Sequence, residues 1–158
     1  MSNPTSANIV QLPRQNDDSD IRPLLPDGEY HVGFDYYETK YYFGKSPKVV
    51  MHFHIIDQGA WFGIPLTRWY SVERIGKPRK GGSFKAKGQT SILLIEYFRC
   101  FPGQPTPKRL DRLPMNEWNK NGYLAKVVSV KENGKQVKLP EQLRYSKIET
   151  LLGVCNDF

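Results

Sequence analysis

Gly28-Glu-Tyr-His-Val-Gly-Phe-Asp-Tyr-Tyr37, Lys48-Val-Val-Met-His-Phe-His-Ile-Ile-Asp57 and Phe62-Gly-Ile-Pro-Leu-Thr-Arg-Trp-Tyr-Ser-Val72 decide the fold of this 158-residue chain. Each run is rich in β-branched and aromatic residues, and a period of two sorts its side chains onto opposite faces. In the first, Tyr30, Val32, Phe34 and Tyr36 share one face, with His31, Asp35 and Tyr37 on the other. In the second, Val49, Met51, Phe53 and Ile55 oppose Val50, His52, His54 and Ile56. In the third, Ile64, Leu66, Tyr70 and Val72 oppose Thr67, Trp69 and Ser71, and Arg68 falls on the core side. One face is apolar and the other mixes rings with polar groups, the signature of a sheet buried on one side. Pro65 cannot donate to a ladder, so it marks a place where the register could shift.

Working outward, the first two strands are joined through Glu38 to Pro47, with an aromatic tip of Tyr41, Tyr42 and Phe43. The second and third are joined at Asp57-Gln58-Gly59-Ala60, which is turn chemistry. After the third strand, residues 74–88 carry Arg74, Lys77, Arg79, Lys80, Lys85 and Lys87 and no acid, with Gly76, Gly81, Gly82 and Gly88 predicting a mobile loop. The formal net charge is +7, and nearly all of the excess sits in this loop. Positive charge so concentrated favours a polyanion over a scattered, solvated surface.

Thr90 to Phe101 reads as a helix stopped by Pro102-Gly103, with Leu94, Phe98 and Phe101 on one stripe. Met115 to Asn119 is long enough for one helical turn. Tyr123 to Glu132 alternates, Asn133-Gly134 is a hairpin turn, and Val137 to Leu139 returns before Pro140. Ser146-Lys-Ile-Glu149 fits a capping box, with Gly153 as a stop, and predicts a short C-terminal helix. The predicted fold is mainly β: a five-stranded OB-fold Greek-key barrel with one helix between strands 3 and 4 and a short C-terminal helix. Residues 1–24, polar and proline-broken with an acidic run at Asp17, Asp18 and Asp20, read as a flexible N-terminal arm. Residues 25–158 form a single OB-fold domain in this reading.

The chain is 39% hydrophobic and 13% aromatic, a globular composition. No apolar run reaches the roughly 18 residues that cross a bilayer, and the start is not a secretory signal, so no membrane partner and a cytoplasmic location are expected. Cys100 and Cys155 lack CxxC spacing, and no disulfide framework is expected. No catalytic signature stands. The stretch from Gly81 to Gly88 lacks the Gly-Lys-Ser/Thr ending of a P-loop, and neither GxSxG nor HExxH occurs. The expectation is a non-enzyme without cofactor or metal. His52 and His54, two apart on one strand with His31 available beside them, could begin a metal site, but sheet-face histidines that stack or hydrogen-bond are the simpler reading.

Rings on a sheet beside a cationic loop suit a single nucleic-acid strand, which offers base faces and one charge per nucleotide. On this reading Tyr37, His52, His54 and Trp69 stack, and Tyr41 and Trp61 contribute from tips and edges. Arg74, Lys77, Arg79, Lys80, Lys85 and Lys87 clamp phosphates, while Lys45 and Lys48 track the backbone. If all six loop cations met phosphates, the salt slope would reach at most about −4. RNA is admitted beside DNA, because stacking and backbone contacts scarcely separate them. An edge strand offers a route to a homodimer.

The arrangement resembles the OB-fold single-stranded-DNA-binding proteins of phages, plasmids and mobile elements. The likeness is carried by Leu25-Pro26-Asp27-Gly28-Glu29-Tyr30, by Ile55-Ile56-Asp57 running into Gly59-Ala60-Trp61-Phe62-Gly63, by Tyr123-Leu124-Ala125-Lys126-Val127 and by Tyr145-Ser146-Lys147-Ile148. It spans roughly residues 25 to 152. The resemblance implies single-stranded DNA binding with low sequence preference, accessory to replication, recombination or transfer, with replication or recombination proteins as further partners. The other function class open to the sequence is a protein-interaction or inhibitor module whose basic loop meets an acidic partner.

Overall fold

The computed structural model describes residues 24–132, 135–140 and 144–155. The expected N-terminal arm, apart from Leu24, and the turn at Asn133-Gly134 lie outside the described residues. Five long strands, β1 (Gly28–Tyr42), β2 (Ser46–Ile55), β3 (Pro65–Ser71), β6 (Gly122–Val130) and β7 (Tyr145–Cys155), form one antiparallel sheet in the order β3-β2-β1-β6-β7. A small hairpin, β4 (Arg74–Ile75) with β5 (Phe84–Lys85), follows β3. A helix, α1 (Ile92–Cys100), and a 3₁₀ helix, Met115–Lys120, come before β6. The protein is mainly β, as expected, but the sheet does not close into a barrel: no ladder joins the edge strands β3 and β7 among the described residues.

The expected C-terminal helix is a strand. Ile148 and Leu151 are the buried positions of β7, and their spacing of three reads as a helix in sequence. A place beside β6 in the sheet decides the conformation instead, since tertiary pairing overrides a local cap signal.

Contacts divide the chain into two compact units. The smaller comprises the segment ending at Leu25 together with residues 129–146. In it Leu25 donates its N–H to Ser146 Oγ at 2.9 Å, Ser129 Oγ donates to the Leu25 carbonyl at 3.3 Å, and Leu139 N–H donates to the Lys131 carbonyl at 2.8 Å. Glu132 and Lys138 bridge the arms of the expected hairpin.

The larger unit holds residues 26–128 and the chain from Lys147. Val49, Met51, Phe53 and Ile55 of β2 and Leu66, Tyr70 and Val72 are buried, which is the face expected of them. The register of β3 is regular from Pro65 to Ser71, so the proline causes no shift. Beneath the sheet lie Leu93, Leu94 and Tyr97 of α1 and, on the 3₁₀ helix, Trp118. The Trp118 ring packs against Phe101 and Tyr123, each at 5.0 Å, and against Tyr97 and Phe34 at 6.1 and 6.4 Å.

Arg68 does enter the core side, and α1 supplies its partner. The buried Glu96 carboxylate accepts from both Arg68 Nη2 and Nε (3.1 Å for the latter), from Tyr70 Oη at 2.7 Å and from Leu151 N–H at 3.0 Å. Burial alone would lower the Arg68 pKa, but the bond to Glu96 and its charge turn the shift upward. Burial, then the Glu96 charge, pushes the Tyr70 hydroxyl well up. One carboxylate thus ties α1 to both edge strands of the sheet.

Candidate nucleic-acid interface

The outward face of β1, β2 and β3 is set by one irregularity. Before Asp35, Gly33 pairs with His54 and Phe34 with Phe53; after it, Tyr36 pairs with His52 and Tyr37 with Met51. Asp35 is the extra residue of a bulge, and beyond it every β1 side chain changes face. Tyr36 therefore takes the outward place that alternation assigned to Tyr37. Tyr37 turns to the Met51 side, donates its hydroxyl to the Gly82 carbonyl at 3.0 Å and packs edge-on to Phe84 at 5.7 Å. It leaves the set of stacking rings.

The outward rows are then Gly33–His54–Pro65, Tyr36–His52–Thr67, Glu38–Val50–Trp69 and Lys40–Lys48–Ser71. Tyr36 and His52 stack at 4.3 Å with 14° between planes. Trp69, 37% exposed, meets Tyr42 edge-on at 5.9 Å, and Tyr42 leans on Phe43, which is 83% exposed. Ammonium groups lie over these rings: Lys80 over Tyr36 at 4.5 Å, Lys40 over Trp69 at 5.4 Å and Lys48 over Tyr42 at 5.9 Å. Lys48 also donates to Ser71 Oγ at 2.6 Å. Cations above ring faces are attracted by the ring quadrupole. Lys48 and Lys80 form no ion pair among the described residues, while Lys40 pairs with Glu38 at 3.5 Å.

The basic segment is better organised than its glycines predict. β6 pairs with β1 only over residues 28–33, leaving the later edge of β1 open. The loop fills that edge: Thr39 N–H donates to the Arg79 carbonyl at 2.9 Å and Gly81 N–H to the Tyr37 carbonyl at 2.8 Å. The buried Thr39 hydroxyl accepts from Arg79 N–H at 3.2 Å. Gly82 has to be glycine, because a Cβ there would come within 2.3 Å of Thr39 Oγ1. This latch brings Lys80 to the outward face.

The other expected residues divide. Arg74 and Lys85 both pair with Glu73 at 3.2 Å, so they are partly neutralised. Lys77, Arg79 and Lys87 form no ion pair among the described residues. Lys45 is exposed in the β1–β2 turn beside Tyr42. Tyr41, opposite Pro47, alternates with Tyr42 and so projects from the other face. Trp61 lies in the β2–β3 turn, at the opposite end of β2 from Tyr42, and does not join the Trp69 cluster. The residues the sequence underrated are Tyr36 and Lys40; a polar Asp35 inside an aromatic run was the available sign of a bulge.

Each histidine pairs with its own carboxylate: His31 with Asp57 at 2.6 Å, His54 with Asp35 at 2.8 Å, and His52 with Glu38. No group of three potential metal ligands occurs among the described residues. Burial pushes the Cys100 thiol up to about 12, which keeps it protonated and unreactive at neutral pH. No helix of the described residues is long and apolar enough to cross a membrane. Comparison with known proteins finds no family model, curated sequence or solved structure that matches this chain.

Proposed function

We propose that this protein is a non-catalytic OB-fold module that binds single-stranded DNA with little sequence preference, as an accessory to replication, recombination or transfer of a phage or mobile element. One observation carries the reading: Tyr36, His52, Trp69 and Tyr42 share an exposed sheet face with three lysine ammoniums poised over rings of that face. Bases stack on such rings whatever their identity, and the ammoniums meet the phosphates between them. A duplex hides its base faces and gains only the charge term.

The strand order supports the OB-fold half of the proposal. β1 is shared between the β2 and β6 pairings, α1 sits in the chain between β3 and β6, and the opening lies between β3 and β7. A partly open five-stranded barrel has that arrangement.

The test is a mobility shift with oligo-dT, duplex DNA and oligo-U at two salt concentrations. Oligo-dT should bind best, with a salt slope of about −2 from the three face lysines. Equal affinity for duplex would overturn the stacking role, and oligo-U binding more tightly than oligo-dT would move the assignment to RNA.

A further inference from the structure

We infer that the bound strand continues past Trp69, over the open edge of β3, and seats its next nucleotide in the groove between that edge and residues 87–92, with Lys87 meeting the phosphate. This rests on the proposed single-strand reading and extends it. The groove has a volume of about 510 Å³, the range of ligand sites, and Trp69 lines it as well as the outward face. β3 is an edge strand, so no further strand blocks the way.

The geometry makes the groove the next stop. Tyr36 and Trp69 stand two strands and one row apart on the outward face, which is about 12 Å. One more strand spacing, about 5 Å, passes the β3 edge. A chain laid across β1 toward β3, in contact with both rings, therefore meets the groove as it leaves the sheet. The chemistry there fits a phosphodiester. No acidic side chain lines the groove, Lys87 is exposed without an ion pair among the described residues, and the other lining cation, Arg68, is committed to Glu96. Thr90 adds an exposed hydroxyl.

Two variants test it. Lys87→Ala removes the cation. Ile92→Glu puts a negative charge at the groove wall from an exposed position, where the favourable place of an acid in the first turn of α1 offsets its repulsion of Glu96 one turn on. Binding of labelled oligo-dT of about four and about twelve nucleotides is read by fluorescence anisotropy, with circular dichroism as the fold control and Trp69→Ala alongside. The long oligonucleotide should lose roughly fivefold with Lys87→Ala and more with Ile92→Glu, and its salt slope should shrink by about 0.7, while the short one is unaffected. Unchanged binding of the long oligonucleotide by both variants, or equal losses at both lengths, would remove the groove while Trp69→Ala still weakens binding. If Trp69→Ala also changes nothing, the single-strand reading itself falls and this extension falls with it.

Discussion

Two glutamates act as hubs on opposite sides of the same sheet, and burial gives them different work. Glu96, almost fully buried on α1, takes four donors from Arg68, Tyr70 and Leu151. Glu38, partly exposed on β1, takes His52 and Lys40. Away from water an unpaired charge is intolerable, so the Glu96 cluster must be complete and any loss within it is structural. On the surface water can replace either partner, so the Glu38 cluster is worth little to folding and is free to exchange a carboxylate for a phosphate. The same carboxylate chemistry thus gives a fixed joint beneath the sheet and an adjustable contact above it.

The largest effect should follow from breaking the joint. Glu96→Ala leaves the mostly buried Arg68 without its carboxylate and releases both edge strands, and we expect a loss of about 3–5 kcal/mol in urea unfolding. A loss below about 1 kcal/mol would mean that water already reaches the carboxylate, and the contrast with Glu38 would disappear.

That joint also marks where sequence stops being informative. The alternation in β1, β2 and β3, the helix near residues 90–101 and the strand after Tyr123 were legible, because turn residues and apolar period are local properties. Val137 to Leu139, expected to return as a strand, makes only an isolated bridge from Lys138 to Glu132, and the fifth strand of the sheet is β7. Arg68 was legible as an inward charge, but its partner lies 28 residues away on a helix, and no local rule selects Glu96 among the acids. The bulge at Asp35 was hidden for a related reason. Tyr36 and Tyr37 are adjacent and chemically alike, so one extra residue exchanged their faces, and the polar Asp35 inside the aromatic run was the one local sign of it. At β7, Ser146 and Glu149 signalled a cap, but the neighbouring strand supplied a better use for the backbone.

Above the sheet, the next largest effect belongs to Trp69. Trp69→Ala should cost about 1–3 kcal/mol in oligo-dT affinity and abolish most of the fluorescence change on binding. Folding stability should fall much less than in Glu96→Ala, since the ring is 37% exposed. A variant that unfolds as readily as Glu96→Ala would show that the ring serves the core.

Gly82→Ala strikes the latch between the two faces. Its methyl would collide with the buried Thr39 hydroxyl and with the Arg79 carbonyl at 3.1 Å, so the basic loop must leave the β1 edge and carry Lys80 away from Tyr36. The expected sign is a salt slope reduced by about 0.7, one phosphate contact, with affinity lowered accordingly. An unaltered slope in a variant whose loop has left the β1 edge would mean that Lys80 meets no phosphate.

The smallest effect is the most diagnostic of exchange at the surface. Glu38→Gln keeps the shape of the side chain but removes the negative charge that sits between Lys40 and His52. If a phosphate replaces this carboxylate during binding, the bound state loses a repulsion while the free state loses only an exposed pair, worth about 0.5 kcal/mol. Affinity for oligo-dT should therefore rise about two- to threefold at low salt and converge with the unchanged protein as salt screens the difference. Unfolding should shift by no more than about 0.5 kcal/mol. A fall in affinity would invert the assignment, making Glu38 an organiser of the Tyr36–His52 stack and giving both glutamates the same structural work.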